Sequence, residues 1–379
     1  MINSFKRTLA SNLKNIVGWT TNRKIIVFSV DDYGNIRIAS QKARINLGKS
    51  GFSIDSNRFE RYDGLENAND LTALFDALNS VKDKNGRSAV FTPFANCANI
   101  DFEAVKKNNY DKYRYELLPI TLDKLEGYNG TWNLWREGIN HKLFIPQFHG
   151  REHLNIKLFN ELISKKDTHL LACLENECFT GLPLNYSKLV PFNEAYSFHS
   201  FEENVELSEI LTEGLYEFEK VFGYRAENFN APGAYEHSIL EKTMSTNGIK
   251  FIDSIVVKKE HQGNGIYENK FRYMGKQNKY NQRYLIRNCV FEPNLVNSKD
   301  SIARCLKEIE TAFFWKKPAI IGSHRVNFTG IIEEKNRKLG INALTELLKE
   351  IVKKWPDIEF MAANELGNLI SLKNKHNEF

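Results

Sequence analysis

His149 and His153 stand four residues apart in the run His149-Gly-Arg-Glu-His153. Leu154, Leu158, Phe159 and Leu162 follow at helical spacing, so the pair is expected at the start of a helix with both rings on one face. That spacing suits two imidazole ligands on one divalent metal, zinc before cobalt or nickel. Hydrolytic chemistry at such a site also needs a carboxylate and an open coordination position. Asp31 and Asp32 supply the carboxylate, because two adjacent acids repel each other unless a cation or hydrogen bonds offset the repulsion. Neighbouring side chains point in different directions, so Asp32 can ligate metal while Asp31 faces an attacking water. Gln147 and Glu152 are the candidates to orient an imidazole from behind. The plain alternatives are ordinary core or surface histidines and an Asp pair serving as a helix N-cap with a solvated neighbour.

Two further segments carry polar groups at the ends of apolar runs. One is Phe229-Asn-Ala-Pro-Gly-Ala-Tyr235, a turn whose Asn230, Pro232 and Tyr235 can line a pocket. The other is Ile320-Ile-Gly-Ser-His324-Arg325, where an apolar strand presents a histidine. In a parallel α/β barrel such strand ends gather on one face, which is where catalytic groups collect. Trp132, Trp135 and Arg325 join Tyr235 as candidates for stacking or polar contact with a bound molecule, with ordinary core or surface roles as the competing reading.

The elements that must position these residues alternate strand and helix. Residues 24–30 form a short β-branched run, a buried strand that delivers Asp31-Asp32-Tyr33-Gly34. Residues 88–92, 143–148, 169–174, 249–254 and 318–323 read as further strands, the run at 169–174 also admitting a helix. Helices are expected over 154–165, 201–222 with Gly223 as its stop, 237–247, 301–314 and 336–355. This rhythm predicts a parallel sheet covered by helices. The stretch from about 50 to 140 is rich in Asn, Asp, Lys and Tyr and reads as an insertion within a single domain spanning 1–379.

The chain has 42% hydrophobic residues and a net charge of +5 spread without like-charge blocks, which excludes a disordered chain and leaves nucleic acid no footprint. Its five cysteines, Cys97, Cys173, Cys178, Cys289 and Cys305, are odd in number and set mostly in apolar runs, as expected of reduced core thiols. No apolar run is long enough for a membrane span, and no signal peptide is evident, so a cytoplasmic location is expected. Ile2, Phe5, Leu9, Leu13 and Ile16 recur at helical spacing among Lys6, Arg7 and Lys14. They predict a terminal helix packed on the domain, with a membrane-surface helix as the alternative. Oligomeric state is left open.

The order of motifs resembles the polysaccharide deacetylase superfamily, the NodB-homology or carbohydrate esterase family 4 fold. Ser29-Val-Asp-Asp-Tyr-Gly34 is similar to its Thr-Phe-Asp-Asp-Gly motif, and closer still to the Asp-Asp-Phe-Gly of YdjC-type deacetylases. His149-Gly-Arg-Glu-His153 resembles its His-Ser/Thr-x-x-His motif, Asn230-Ala-Pro-Gly-Ala-Tyr235 its Arg-x-Pro-x-Gly segment, and Ile321-Gly-Ser-His324 its Leu-x-x-His segment. The resemblance spans about residues 24–330 and implies a distorted (β/α) barrel of about seven strands. It implies Asp31 as base, Asp32, His149 and His153 as metal ligands, His324 as general acid, and an acetylated polysaccharide or oligosaccharide as substrate. Asn230 stands where that family has an arginine that orients the base, and Gly150 where it has a hydroxyl residue. A non-catalytic carbohydrate-binding or scaffolding protein of the same fold is the alternative. Glycosidic cleavage would need a second acid near Asp31, which the sequence does not place.

Overall fold

The computed structural model describes residues 2–179 and 190–374. The strands are β1 (Lys24–Tyr33), β2 (Phe91–Asn96), β3 (Ala98–Ile100), β4 (Tyr115–Leu117), β5 (Gln147–Gly150), β6 (Asn228–Phe229) and β7 (Phe251–Ser254). They continue with β8 (Val257–Gly263), β9 (Ile266–Phe271), β10 (Arg283–Ile286), β11 (Cys289–Val290), β12 (Ala319–His324) and β13 (Ile358–Phe360). The main sheet runs β10-β7-β6-β5-β2-β1-β12-β11, with β13 beside the start of β1 and every pairing parallel.

The two ends of this row, β10 and β11, are separated along the chain only by Arg287 and Asn288. They are halves of one interrupted strand, so the sheet curls into a distorted (β/α) barrel with seven strand positions. The hairpins β3–β4 and β8–β9 stand outside the ring. Register shifts lie at Val30/Tyr33 between β1 and β2 and at Ala95/Asn96 between β2 and β5. Both are at the C-terminal ends of the strands, where a bulge re-aims side chains.

Ile25, Ile26, Val27 and Phe28 of β1 and Ala319, Ile320 and Ile321 of β12 are wholly buried, as expected of parallel strands covered on both faces. The helix Ala68–Asn79 begins with a reciprocal capping box between Asn67 and Asp70. The helix Asn204–Phe222 stops at Gly223, whose φ of 78° is the left-handed cap expected of its sequence. Helices Ser298–Phe314 and Glu334–Lys354 bear out the two later helical expectations. All five cysteines are free and buried.

Four local expectations need correction. The run at 169–174 is the helix Thr168–Glu175: Asp167 caps it, and its buried residues Leu170, Cys173 and Leu174 follow helical spacing. The second strand starts at Phe91, not residue 88, and runs through Pro93 to Asn96. In the 143–148 run only Gln147 and Phe148 join the ladder, Phe144 making one isolated bridge to Phe91. The histidine pair is not on a helix: His149 lies in β5 and His153 in the bend after it, because Asn155 caps a helix that starts only at Ile156. The stretch 50–140 contributes β2 to the barrel and the short helix Arg58–Tyr62 beside His324.

Candidate metal centre and its acid–base pair

Asp32 sits in the bulge that ends β1, with a φ of 74°, a left-handed conformation uncommon for a residue with a side chain. The bulge separates the two adjacent acids. Asp31 stays in register opposite His324 on β12, while Asp32 turns toward β5 and its following loop. The Oδ1 of Asp32 lies 3.5 Å from His149 Nε2 and 3.0 Å from His153 Nε2. All three residues are buried, and their ligand atoms lie within 4.8 Å of one another.

His149 is oriented from behind by its Nδ1, which donates to the backbone oxygen of Asn230 at 2.6 Å, leaving the buried Nε2 without a hydrogen-bond partner. Neither Gln147 nor Glu152 does this work. Gln147 accepts from the backbone of Glu227 and Asn228, and Glu152 is paired with Arg151 and Tyr113. Burial alone would raise the Asp32 carboxyl, but the two histidines outweigh it and hold the group well below its ordinary range. Burial likewise lowers His153, against the pull of Asp32, and so favours the neutral ring that binds metal. An orphaned imidazole nitrogen facing an ionised carboxylate and a second imidazole is a donor set that fits a divalent cation such as zinc.

Asp31 belongs to a different circuit. Arg287 reaches it with both terminal nitrogens, Nη1 to Oδ2 at 2.6 Å and Nη2 to Oδ1 at 2.8 Å, while its Nε donates to Asp253 at 2.8 Å. Asn230 adds a third donor, Nδ2 to Asp31 Oδ1 at 3.0 Å. Burial opposes the charge on Arg287, yet Asp31 and Asp253 more than restore it.

His324 lies across from this carboxylate, its Nε2 3.9 Å from Asp31 Oδ2. Its Nδ1 is 2.6 Å from Glu292 Oε1, and the other oxygen of Glu292 accepts from Arg58 and Asn327. Burial disfavours the imidazolium, but Glu292, with Asp32 and Asp31 behind it, raises His324 to about 9. Glu292 is driven the other way, to about 2, burial being overcome by His324 and Arg58. Phe59 packs edge-on against the His324 ring, with Arg58 and Arg37 over its own faces.

Of the remaining expected residues, Asn230 reaches Asp31, Pro232 is buried in the turn and Tyr235 is partly exposed near Glu194. Trp135 and Arg325 are elsewhere. Trp135 is fully buried against Tyr33, Phe144 and Phe222, and Trp132 packs on it. Arg325 is equally inaccessible, pairing with Asp63 and Glu66. Neither can touch a saccharide.

The sequence reading passed over Arg287, Glu292 and Glu194. Arg287 ends the apolar run Tyr284-Leu-Ile, and Glu292 follows Cys289-Val-Phe, which is the signal that drew attention to Asp31. Glu194 lies in an irregular segment without such a mark. It is held near 8 by burial and the nearby Asp32 charge, against Arg37, and its Oε2 is a buried atom with no partner.

No family model and no curated protein matches the chain. Among solved structures it is similar to a protein designated a polysaccharide deacetylase in Mycobacterium smegmatis, at 11% identity and a TM-score of 0.46 over 94% of each chain. It is also similar to one so designated in Pseudomonas aeruginosa, at 9% identity and a TM-score of 0.45, covering 91% of this chain and 90% of that one. The PuuE allantoinase aligns at 10% identity and a TM-score of 0.43, over 92% and 91% of the two chains.

Proposed function

We propose that this chain is a metal-dependent hydrolase that removes N- or O-linked acetyl groups from a polysaccharide or oligosaccharide, with a role in cell-surface polysaccharide metabolism. The observation that carries this reading is the division of two adjacent carboxylates between two circuits: Asp32 with His149 and His153, and Asp31 with Arg287, facing His324. A metal-dependent hydrolase of acyl groups uses a cation site with an acid–base pair beside it.

Asp32, His149 and His153 would hold the metal, zinc first by donor type with cobalt or nickel as substitutes. When bound, the ion supplies Lewis-acid polarisation of the acyl oxygen and a lowered pKa for water. Asp31 accepts the proton of the attacking water, its carboxylate fixed by the guanidinium of Arg287. His324, anchored at Nδ1 on Glu292, carries its other proton on Nε2 toward the cleft and gives it to the departing amine or alkoxide. Asn230 and Tyr235, from the same turn, are the residues this reading assigns to sugar contact.

Asn230 in the arginine position is what favoured a non-catalytic carbohydrate-binding protein. That support weakens because Arg287 brings a guanidinium to Asp31 from the interrupted strand. The test is metal content of the purified chain together with acetate release from a panel of acetylated saccharides, for the native chain and Asp31→Asn. Acetate release that depends on metal and on Asp31 is expected. Bound metal and saccharide binding with no acetate from any substrate would leave the non-catalytic reading in its place.

A further inference from the structure

Over residues 9–16 the helix Ile2–Ile16 is docked the opposite way round from an ordinary amphipathic helix. The buried residues of this stretch are polar: Ser11 and Asn15 lie under the helix, Asn15 accepts from Asn288, and Asn12 accepts from the indole of Trp315 at 2.8 Å. Leu9, Leu13 and Ile16, spaced to share one face, and Val17 in the bend just after the helix are left between 49% and 56% exposed. Phe314, immediately before Trp315, is 76% exposed. A solvent-facing row of this kind, on a helix already held by its polar side, marks an interaction surface.

The charge around it names the partner. Lys6, Arg7, Lys14, Arg23 and Lys24 are basic and the first acidic residue is Asp31, so the first thirty residues hold the whole chain's net charge of +5. Arg23 and Lys24 are paired with Glu359 and Asp357, which leaves the charge of the helix itself uncompensated by any acid of its own segment. An exposed leucine and isoleucine face on a helix with lysine and arginine but no acid fits the boundary of an anionic lipid surface. Through Asn288, which also donates to the backbone oxygen of Pro318, the helix is tied to the N-terminal end of β12, opposite the end that carries His324. Docking there leaves the candidate site open.

We propose that Leu9, Leu13, Ile16 and Val17 insert into the interface of an anionic membrane, making the chain a peripheral membrane protein irrespective of the chemistry at its site. The experiment is co-sedimentation of the full chain with phosphatidylcholine vesicles and with vesicles containing phosphatidylglycerol, at low and high salt. Binding to the anionic vesicles is expected, weakened by salt. Leu13→Asp should lower the partition by about tenfold or more. Because Leu13 faces solvent, that variant should keep the native circular dichroism, and Leu9→Asp serves as a second probe. The proposal is overturned if the native chain stays in the supernatant at low salt, or if both variants sediment like it. It is equally overturned if the chain is a dimer that Leu13→Asp makes monomeric while no vesicle binds, which would assign the face to a second copy.

Discussion

Arg287 holds both oxygens of Asp31 from a position between β10 and β11, with Asp253 as the second anchor of the same guanidinium. The interruption of that strand is what frees Arg287 to point across the barrel mouth. A flexible lysine would supply one point charge where Arg287 supplies a planar fork. Arg287→Lys is therefore expected to lower kcat by about a hundredfold, the loss of a well-placed base, with metal content unchanged. Steady-state kinetics beside metal analysis checks this, and equal activity in Arg287→Lys would show that Asp31 needs no such clamp.

Asp32 combines its proposed ligand role with an uncommon backbone. Asparagine tolerates the left-handed region, so Asp32→Asn keeps the turn and removes only the charge. Metal affinity measured by calorimetry should fall by at least about a hundredfold, more than the loss of an outer-shell partner. Adding zinc at a hundred times its Kd should stabilise the native fold by about 2.7 kcal/mol. The same zinc concentration should stabilise Asp32→Asn by no more than about 0.4 kcal/mol, so its Tm should hardly move.

The barrel was legible in the sequence because β1 and β12 are apolar and β-branched and helices follow at the right spacing. The placement of Asp31, Asp32 and His324 at strand ends was legible because each ends such a run. The geometry of the histidine pair was not: four-residue spacing suggested a helix, whereas Asn155 delays the helix and the bend brings His153 back to Asp32. Trp135 and Arg325 were misread for a related reason. An indole and a guanidinium look alike in sequence whether they meet a sugar or, as here, a core aromatic cluster and buried carboxylates. Arg287 and Glu292 come from far along the chain, and only the closed barrel brings them to Asp31 and His324.

His324 is expected to set the alkaline limit of the proposed activity. Its folded pKa of about 9 lies above the ordinary 6.5, so the charged ring favours the folded state fully below 6.5 and that contribution is lost as pH rises through about 9. As the proposed general acid it must be protonated, so activity should fall along an alkaline limb, which the charge of a bound cation sets below the metal-free value of about 9. Glu292→Gln removes the largest raising influence, so the alkaline limb should move down toward 6.5. A pH–rate profile with an unmoved limb in Glu292→Gln would assign the limb to another group.

Gly233 is where the turn and the site meet. Its φ is 60°, and a Cβ there would collide with the carboxyl group of Glu194. The absence of a side chain is what lets the Glu194 carboxyl lie over the turn near Asp32. Gly233→Ala is expected to expel that carboxyl and to strain the backbone, at about 1–3 kcal/mol of stability from the positive φ. Glu194→Ala removes the obstacle but not the strained φ. In the double variant the stability cost should therefore fall below that of Gly233→Ala alone. Chemical denaturation of the two single variants and the pair measures this coupling, and strict additivity would mean that the two groups do not meet. In the metal-free chain Glu194 is held near 8, and a cation bound at Asp32 would cancel the part of that rise that comes from the Asp32 charge.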